Sequence, residues 1–361
     1  MTKERRTNKV NPNQIELARK SRLLSQTQLA KDLKIDQSRY SKIERGEMTI
    51  SPEILDKLIE RLDYPYNFFI ESGNTLGLPI SLHGGGNFRK RQNLPQKILY
   101  SVESLIGIYL GRLKKLQKNV KPEPSKTINS IDLSDFGNDI EHVAEQLRLQ
   151  WNLPSGAIKH LTTVLENAGC IIIKYDFGTE KIDGFSIWIK GLNPVIFIRD
   201  GMPGDRERFT LAHELGHLLF HTDKISPNKE QEANKFASAF LMPSIDIKNK
   251  LYNLNIYKLQ TLKEEWKVSM AALAYRAKDL KTINENQYRY IFMELSKNGY
   301  RKKEPVYIKP ETPLTIKEMI DAYLYDLDYT KEELTDYLCL NLNDFEKYFT
   351  FDEPNSKVVY I

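Results

Sequence analysis

Cysteine is almost missing from this 361-residue chain, which has 2, Cys170 and Cys339, in different segments. That count excludes a disulfide-stapled secreted fold and points to reduced thiols in a cytoplasmic protein. Long apolar runs are missing too. None approaches the ~18 residues that a membrane-spanning helix needs, and mean hydropathy is −0.50, so no membrane partner is expected. The opening stretch MTKERRTNKV has no apolar core behind its positive charges, so a secretory leader is not expected either. No low-complexity tract or internal repeat is read anywhere along the chain. Histidine is scarce at 6 residues, which makes any cluster of histidines informative.

What is present is a chain long enough for two or three domains, 40% hydrophobic, with an uneven charge. Residues 1–46 hold 12 Lys and Arg against 5 Asp and Glu, whereas the remainder is near balance at 41 against 43. The basic end is therefore the end to test for nucleic acid. Residues 13–22 read as a helix with Ile15 and Leu23 facing inward. Ser25 caps a second helix, QTQLAKDL, followed by a short turn with Ile35 buried. Asp36 then caps QSRYSKIE, and Gly46 stops it. Two short helices joined by a tight turn, the second presenting polar residues, suit a reader of the major groove. The stretch SQTQLAKDLKIDQSRYSKIERG resembles the lambda-repressor-like (XRE) helix-turn-helix over its full length. The resemblance implies double-stranded DNA as a partner, with Gln37, Ser38, Arg39 and Lys42 on the groove side and Gln26 at the phosphate end of the second helix. Tyr40 stands where that family usually has a smaller aliphatic. A helical domain that binds proteins instead of DNA is the alternative. Domain boundaries are expected at 1–72 for this bundle and 73–130 for a linker and amphipathic helix. The linker holds Gly84 to Gly86 and the basic cluster Arg89, Lys90, Arg91. Between Pro95 and Leu116, Ile98, Val102, Leu105, Ile106, Tyr109, Leu113 and Leu116 fall at helical spacing. That stripe is core, or the seam of a homodimer.

From Ile131 the pattern changes. Two helical stretches, Asn138 to Trp151 and Gly156 to Asn167, precede three β-branched or aromatic runs at Cys170 to Tyr175, Phe185 to Ile189 and Val195 to Ile198. The next stretch, RERFTLAHELGHLLFH, is apolar around most of a helix, with Asp205 as its expected N-cap. It places His213, Glu214 and His217 as H-E-x-x-H. Histidines four apart stand about 40° apart around a helix and roughly 6 Å apart along it, so both can close on one divalent ion. Glu214 is then placed to take a proton from water held there. His221 lies about 12 Å along the helix from His213, too far to share that ion. The next helix offers Glu230 and Glu232. With the buried face set by Ala233, Phe236, Ala237, Phe240 and Leu241, Glu230 falls about 60° from Ala233 and inside the arc, whereas Glu232 falls about 100° away on the other side. A carboxylate on a buried face needs a cation, which selects Glu230 as the third ligand and leaves Glu232 as a solvated rim charge.

RFTLAHELGHLLFH followed by E-x-x-A-N-x-F-A-x-x-F-L-M-P resembles the ImmA/IrrE metallopeptidases, supported by Asp183-Gly184 and the run Pro194 to Ile198. The likeness continues through TLKEEWKVSMAALAYRAKDL and SKNGYRKKEP, similar to the tail of the subgroup fused to an N-terminal helix-turn-helix. Arg199 departs from it, standing where an asparagine is expected. The resemblance implies a multidomain protein. An all-α helix-turn-helix bundle precedes an α+β zincin-like metallopeptidase domain, with a small sheet, over 131–305. A helical extension of unknown role follows over 306–361. It also implies cleavage of a specific regulatory protein, a repressor or antitoxin-like partner, in stress or mobile-element control. Two histidines and a carboxylate suit Zn2+, and Mn2+ as well. The alternative is a helix-turn-helix transcription regulator whose metal domain senses a ligand without proteolysis, for which Glu214 would be dispensable.

Overall fold

The computed structural model describes residues 10–71, 95–222 and 226–349. The expected linker, with its glycine triplet and basic cluster, lies outside the described residues. Packing divides the chain into two compact units, Met1–Pro122 together with Thr315–Ile361, and Glu123–Leu314. No described helix is long and apolar enough to cross a membrane.

The first unit starts with α1 (Pro12–Ser21), α2 (Gln26–Asp32), α3 (Gln37–Glu44) and α4 (Pro52–Leu62). Asn11 caps α1 through the Asn13 amide. Ile15 and Ala18 are buried under it, but Leu23 is 43% exposed. The chain leaves α1 through a left-handed Leu23 (φ 57°), which turns the side chain outward and gives Leu24 the inner position instead. Ser25 and Gln28 form a reciprocal capping box on α2. Asp36 precedes α3 as expected, although its carboxylate makes no capping hydrogen bond. Gly46 follows at φ 74°, a conformation costly for a residue with a Cβ. Tyr40 is fully buried, and the oversized ring is accommodated because its hydroxyl donates to Glu44 Oε1 at 3.1 Å. Arg19 donates to both oxygens of Glu44, at 2.7 and 3.0 Å, so a buried ion pair ties α1 to α3. The helix expected from Pro95 is α5 (Gln96–Asn119). It packs on α1, and Ser101 Oγ donates to the Ser21 carbonyl at 3.1 Å. Its stripe is core within this unit, with Val102, Ile106, Leu113 and Leu116 buried.

The second unit carries α6 (Ile140–Gln150), capped by Asp139, then α7 (Leu161–Asn167), β1 (Ile171–Tyr175), β2 (Gly184–Ile187) and β3 (Val195–Arg199). The sheet order is β1-β3-β2, β3 parallel to β1 and antiparallel to β2. All three strands fall on the β-branched and aromatic runs, β2 ending two residues early. Then come α8 (Gly204–Phe220), α9 (Lys229–Leu241), α10 (Ile256–Trp266), α11 (Met270–Asp279) and α12 (Glu285–Lys297). This is the expected α+β layout, with α8 packed between sheet and helices. Asp205 is not its N-cap. Pro203 takes that position, and Asp205, one residue inside the helix and buried, is ion-paired with Lys263 of α10. A strap after α12 holds the start of α8. Glu304 pairs with Lys263, Glu311 pairs with Arg208, and the Gly204 amide donates to the Ile308 carbonyl at 3.0 Å.

The chain then returns to the first unit as α13 (Thr315–Asp321), a wide turn at Ala322–Asp326, α14 (Lys331–Leu338) and α15 (Leu342–Phe349). Tyr323 donates to the Leu116 carbonyl at 3.0 Å, and Arg22 pairs with Asp344 at 2.7 Å. The extension read as one piece over 306–361 thus divides, residues 306–314 packing with the second unit and residues 315–349 with the first.

Candidate metal centre and nucleic-acid face

The centre is built on two helices in unusually close contact. Gly216 of α8 lies against α9, where an added Cβ would stand 3.2 Å from Ala233 Cα and 3.1 Å from the Phe236 ring. That closeness lets a side chain one turn from Ala233 reach the histidines. His213 Nε2 and His217 Nε2 are 2.9 Å apart, and Glu230 Oε2 and Oε1 lie 3.6 and 3.9 Å from them respectively. Among the described residues these three form the cluster whose ligand atoms all lie within 4.8 Å of one another.

The proton positions follow from the partners. Asn234 Oδ1 can only accept, so His213 donates from Nδ1 at 3.0 Å and turns the Nε2 lone pair inward. On the other side, Glu232 Oε2 accepts from His221 Nε2 at 2.7 Å. That leaves His221 Nδ1 as the acceptor of a proton from His217 Nδ1, 2.8 Å away, and His217 Nε2 also unprotonated. Two nitrogen lone pairs therefore face each other beside a carboxylate, an arrangement that is repulsive until a cation lies between them. Tetrahedral zinc with bonds of about 2.0–2.1 Å sets its ligand atoms roughly 3.3 Å apart, within the 2.9–3.9 Å spread seen here. The donor set fits a divalent ion. Burial holds both imidazoles neutral, pushing His213 down to about 4 and His217 lower still.

Two readings of this centre are corrected, and three supporting residues, His221, Asn234 and Ser186, are added. Glu230 is not the more buried carboxylate: its side chain is 31% exposed against 21% for Glu232. Proximity to the two Nε2 atoms, not burial, distinguishes it. Glu232 is no solvated rim charge, since it accepts from His221 and from Ser226 Oγ at 2.9 Å. His221 stays outside the ligand cluster, as its distance along the helix predicts, yet it supports His217 from behind. Asn234, present in the E-x-x-A-N pattern, was given no role there. Glu214 is buried and takes a 2.8 Å hydrogen bond on Oε2 from Ser186 of β2, a residue that no motif marks. Gly184 at the start of β2 has no room for a Cβ, which would stand 2.9 Å from the Phe197 carbonyl. Arg199, the departure from the expected asparagine, pairs with Asp183 at 3.3 Å and so ties the end of β3 to the approach of β2.

On α3, Gln37, Ser38, Arg39 and Lys42 are all exposed. Gln26 is half-buried and donates to Glu44 Oε2, while its Oε1 accepts from Gln37 Nε2 at 3.1 Å. The first residue of the candidate reading helix is thereby anchored to the start of α2.

Fold and site define a class: a helix-turn-helix DNA-binding domain in one chain with a domain of the metallopeptidase type. Residues 165–278 match the family model of the IrrE N-terminal-like domain, the M78 peptidases, and residues 15–69 match the helix-turn-helix family model. The first match takes in both helices of the metal centre, and the second runs from α1 through Phe69. No curated protein matches the chain.

Proposed function

We propose that this protein is a regulatory metallo-endopeptidase that binds DNA through its first unit and hydrolyses a peptide bond in a specific regulatory protein, acting in the cytoplasm. The observation that carries the reading is the convergence of His213 Nε2, His217 Nε2 and the Glu230 carboxylate, with Glu214 on the helix that carries both histidines. These three residues would hold the ion, zinc or manganese by donor type. Bound there, the ion supplies Lewis acidity toward a carbonyl and toward water. Glu214, held by Ser186, takes the proton of the attacking water and passes it to the leaving amine. Beyond β2 the sheet has no further strand among the described residues, and that edge can align an extended peptide by strand addition beside Glu214.

Replacing Glu214 by Gln tests the reading. The variant should keep its metal and lose cleavage of the cognate target by about 10²–10⁴-fold. Undiminished cleavage would remove Glu214 as the base. If neither protein cleaves a regulator while metal loading alters DNA binding, the ligand-sensing alternative holds.

A further inference from the structure

Residues 315–349 repeat the geometry of the first helix-turn-helix at a constant spacing of 305 positions. In the first, left-handed Leu23 (φ 57°) precedes the Ser25–Gln28 capping box, and left-handed Lys34 (φ 56°) makes the turn. In the second, left-handed Asp328 (φ 55°) precedes the Thr330–Glu333 capping box, and left-handed Cys339 (φ 51°) makes the turn. The turn bonds match as well. Lys34 and Ile35 donate to Lys31 and Ala30 at 3.1 and 3.0 Å, while Cys339 and Leu340 donate to Asp336 and Thr335 at 3.0 and 3.0 Å. Leu29, Leu33 and Tyr40 are buried, and so are their counterparts Leu334, Leu338 and Phe345. Left-handed residues also flank α10, at Asn253 and Lys267, and α11, at Lys267 and Lys281, but each of these pairs is 14 positions apart instead of 11.

We infer that residues 315–349 are a second helix-turn-helix whose recognition helix docks on the first copy instead of reading DNA. This goes beyond the proposed peptidase reading and does not depend on it. The position of Arg39, exposed on the first recognition helix, is held in the second by Asp344, which is 5% exposed and grips Arg22 of the first copy at 2.7 Å. Next to it, Asn341 Nδ2 donates to the Asp63 carbonyl at 2.7 Å. What α14 and α15 leave exposed is mostly acidic, including Glu332, Glu333, Asp336 and Glu346, a charge that phosphates repel. One copy thus presents cations to solvent, and the other turns an anion onto its sibling.

The test uses the full chain and a random-sequence 20-base-pair duplex at low ionic strength, read by fluorescence anisotropy. Arg39→Glu and Lys42→Glu should each weaken binding about tenfold or more, while Asn343→Glu and Lys347→Glu stay within about twofold. Losses at Lys347 equal to those at Lys42 would show that the second copy reads DNA and overturn the inference. Amide exchange tests the docking. Asp344→Asn should speed exchange across 331–349 about tenfold, and the swap of Arg22→Asp with Asp344→Arg should restore protection. Protection unchanged in Asp344→Asn, or no recovery in the swap, would overturn it.

Discussion

Three imidazoles stand in sequence along α8 and at its C-cap, each fixed by the next polar group: Glu232 holds His221, His221 holds His217, and His217 turns its unprotonated nitrogen toward His213 and Glu230. Removing a group that acts through another typically costs 10–100-fold in metal affinity. Glu232→Gln, whose amide could present a donor where His221 needs an acceptor, is therefore expected to weaken zinc binding about 10-fold or more by equilibrium dialysis. Glu230→Gln should weaken it further, because it removes a proposed ligand. A Glu232→Gln variant binding zinc like the native chain would dissociate the relay from the centre. The two histidines and Glu214 were legible because 3.6-residue periodicity alone brings i and i+4 together. Glu232 was misread because a helical wheel scores a carboxylate as facing core or water. It cannot show that His221, set aside as too distant to be a ligand, waits for an acceptor there.

At the scale of elements, the position of α9 depends on a glycine. With Gly216 replaced by Ala, the added methyl meets Ala233 Cα at 3.2 Å and the Phe236 ring at 3.1 Å, and backbone on both sides limits relaxation. The expected result is a loss of about 1–3 kcal/mol in denaturant unfolding of the second unit. Zinc affinity should fall with it, because Glu230 rides on α9. Native affinity in the variant would mean that α9 yields without moving Glu230. Gly204→Ala acts at the other end of α8, where a Cβ would stand 2.5 Å from the Lys309 carbonyl and 2.7 Å from that of Ile308. The strap must then lift, and with it Glu304 and Glu311, the half-buried partners of the buried Lys263 and Arg208. Stability should drop by about 3 kcal/mol or more, since losing Glu311 leaves the buried Arg208 without a carboxylate, whereas Lys263 keeps Asp205. A thermal midpoint within a degree of native would exclude the clamp. Asp205 shows why this was not legible. An aspartate after Pro-Gly reads locally as a cap, and its partner Lys263 is 58 residues away.

At the scale of the whole chain, the order of elements could be read from periodicity, but the return of the C terminus to the first unit could not. Between residues 12–44 and 317–349 only four positions are identical, Ile15, Leu29, Leu33 and Lys42 with their counterparts, and three of these are core. A fold that keeps its inward residues while reversing its surface charge leaves almost nothing for a reading of repeats to find. The consequence can be measured by ending the chain at Leu314. That truncation strips Asp344 from Arg22 and removes Cys339 from the core cluster that also contains Ile108. It also leaves Leu116 without the Tyr323 hydroxyl. An exposed apolar contact and a half-buried arginine lacking its carboxylate should together lower the stability of the first unit by roughly 2–5 kcal/mol. Its amides in α1, α4 and α5 should then exchange faster, and DNA affinity should fall through the unfolded fraction without any change in which base pairs are preferred. Zinc affinity should stay at the native value, since the proposed ligands His213, His217 and Glu230 and the strap through Glu311 all lie before the cut. A truncated chain whose first unit exchanges at native rates would show that α13 to α15 add nothing to it. A loss of zinc affinity would show instead that the second unit needs residues beyond Leu314.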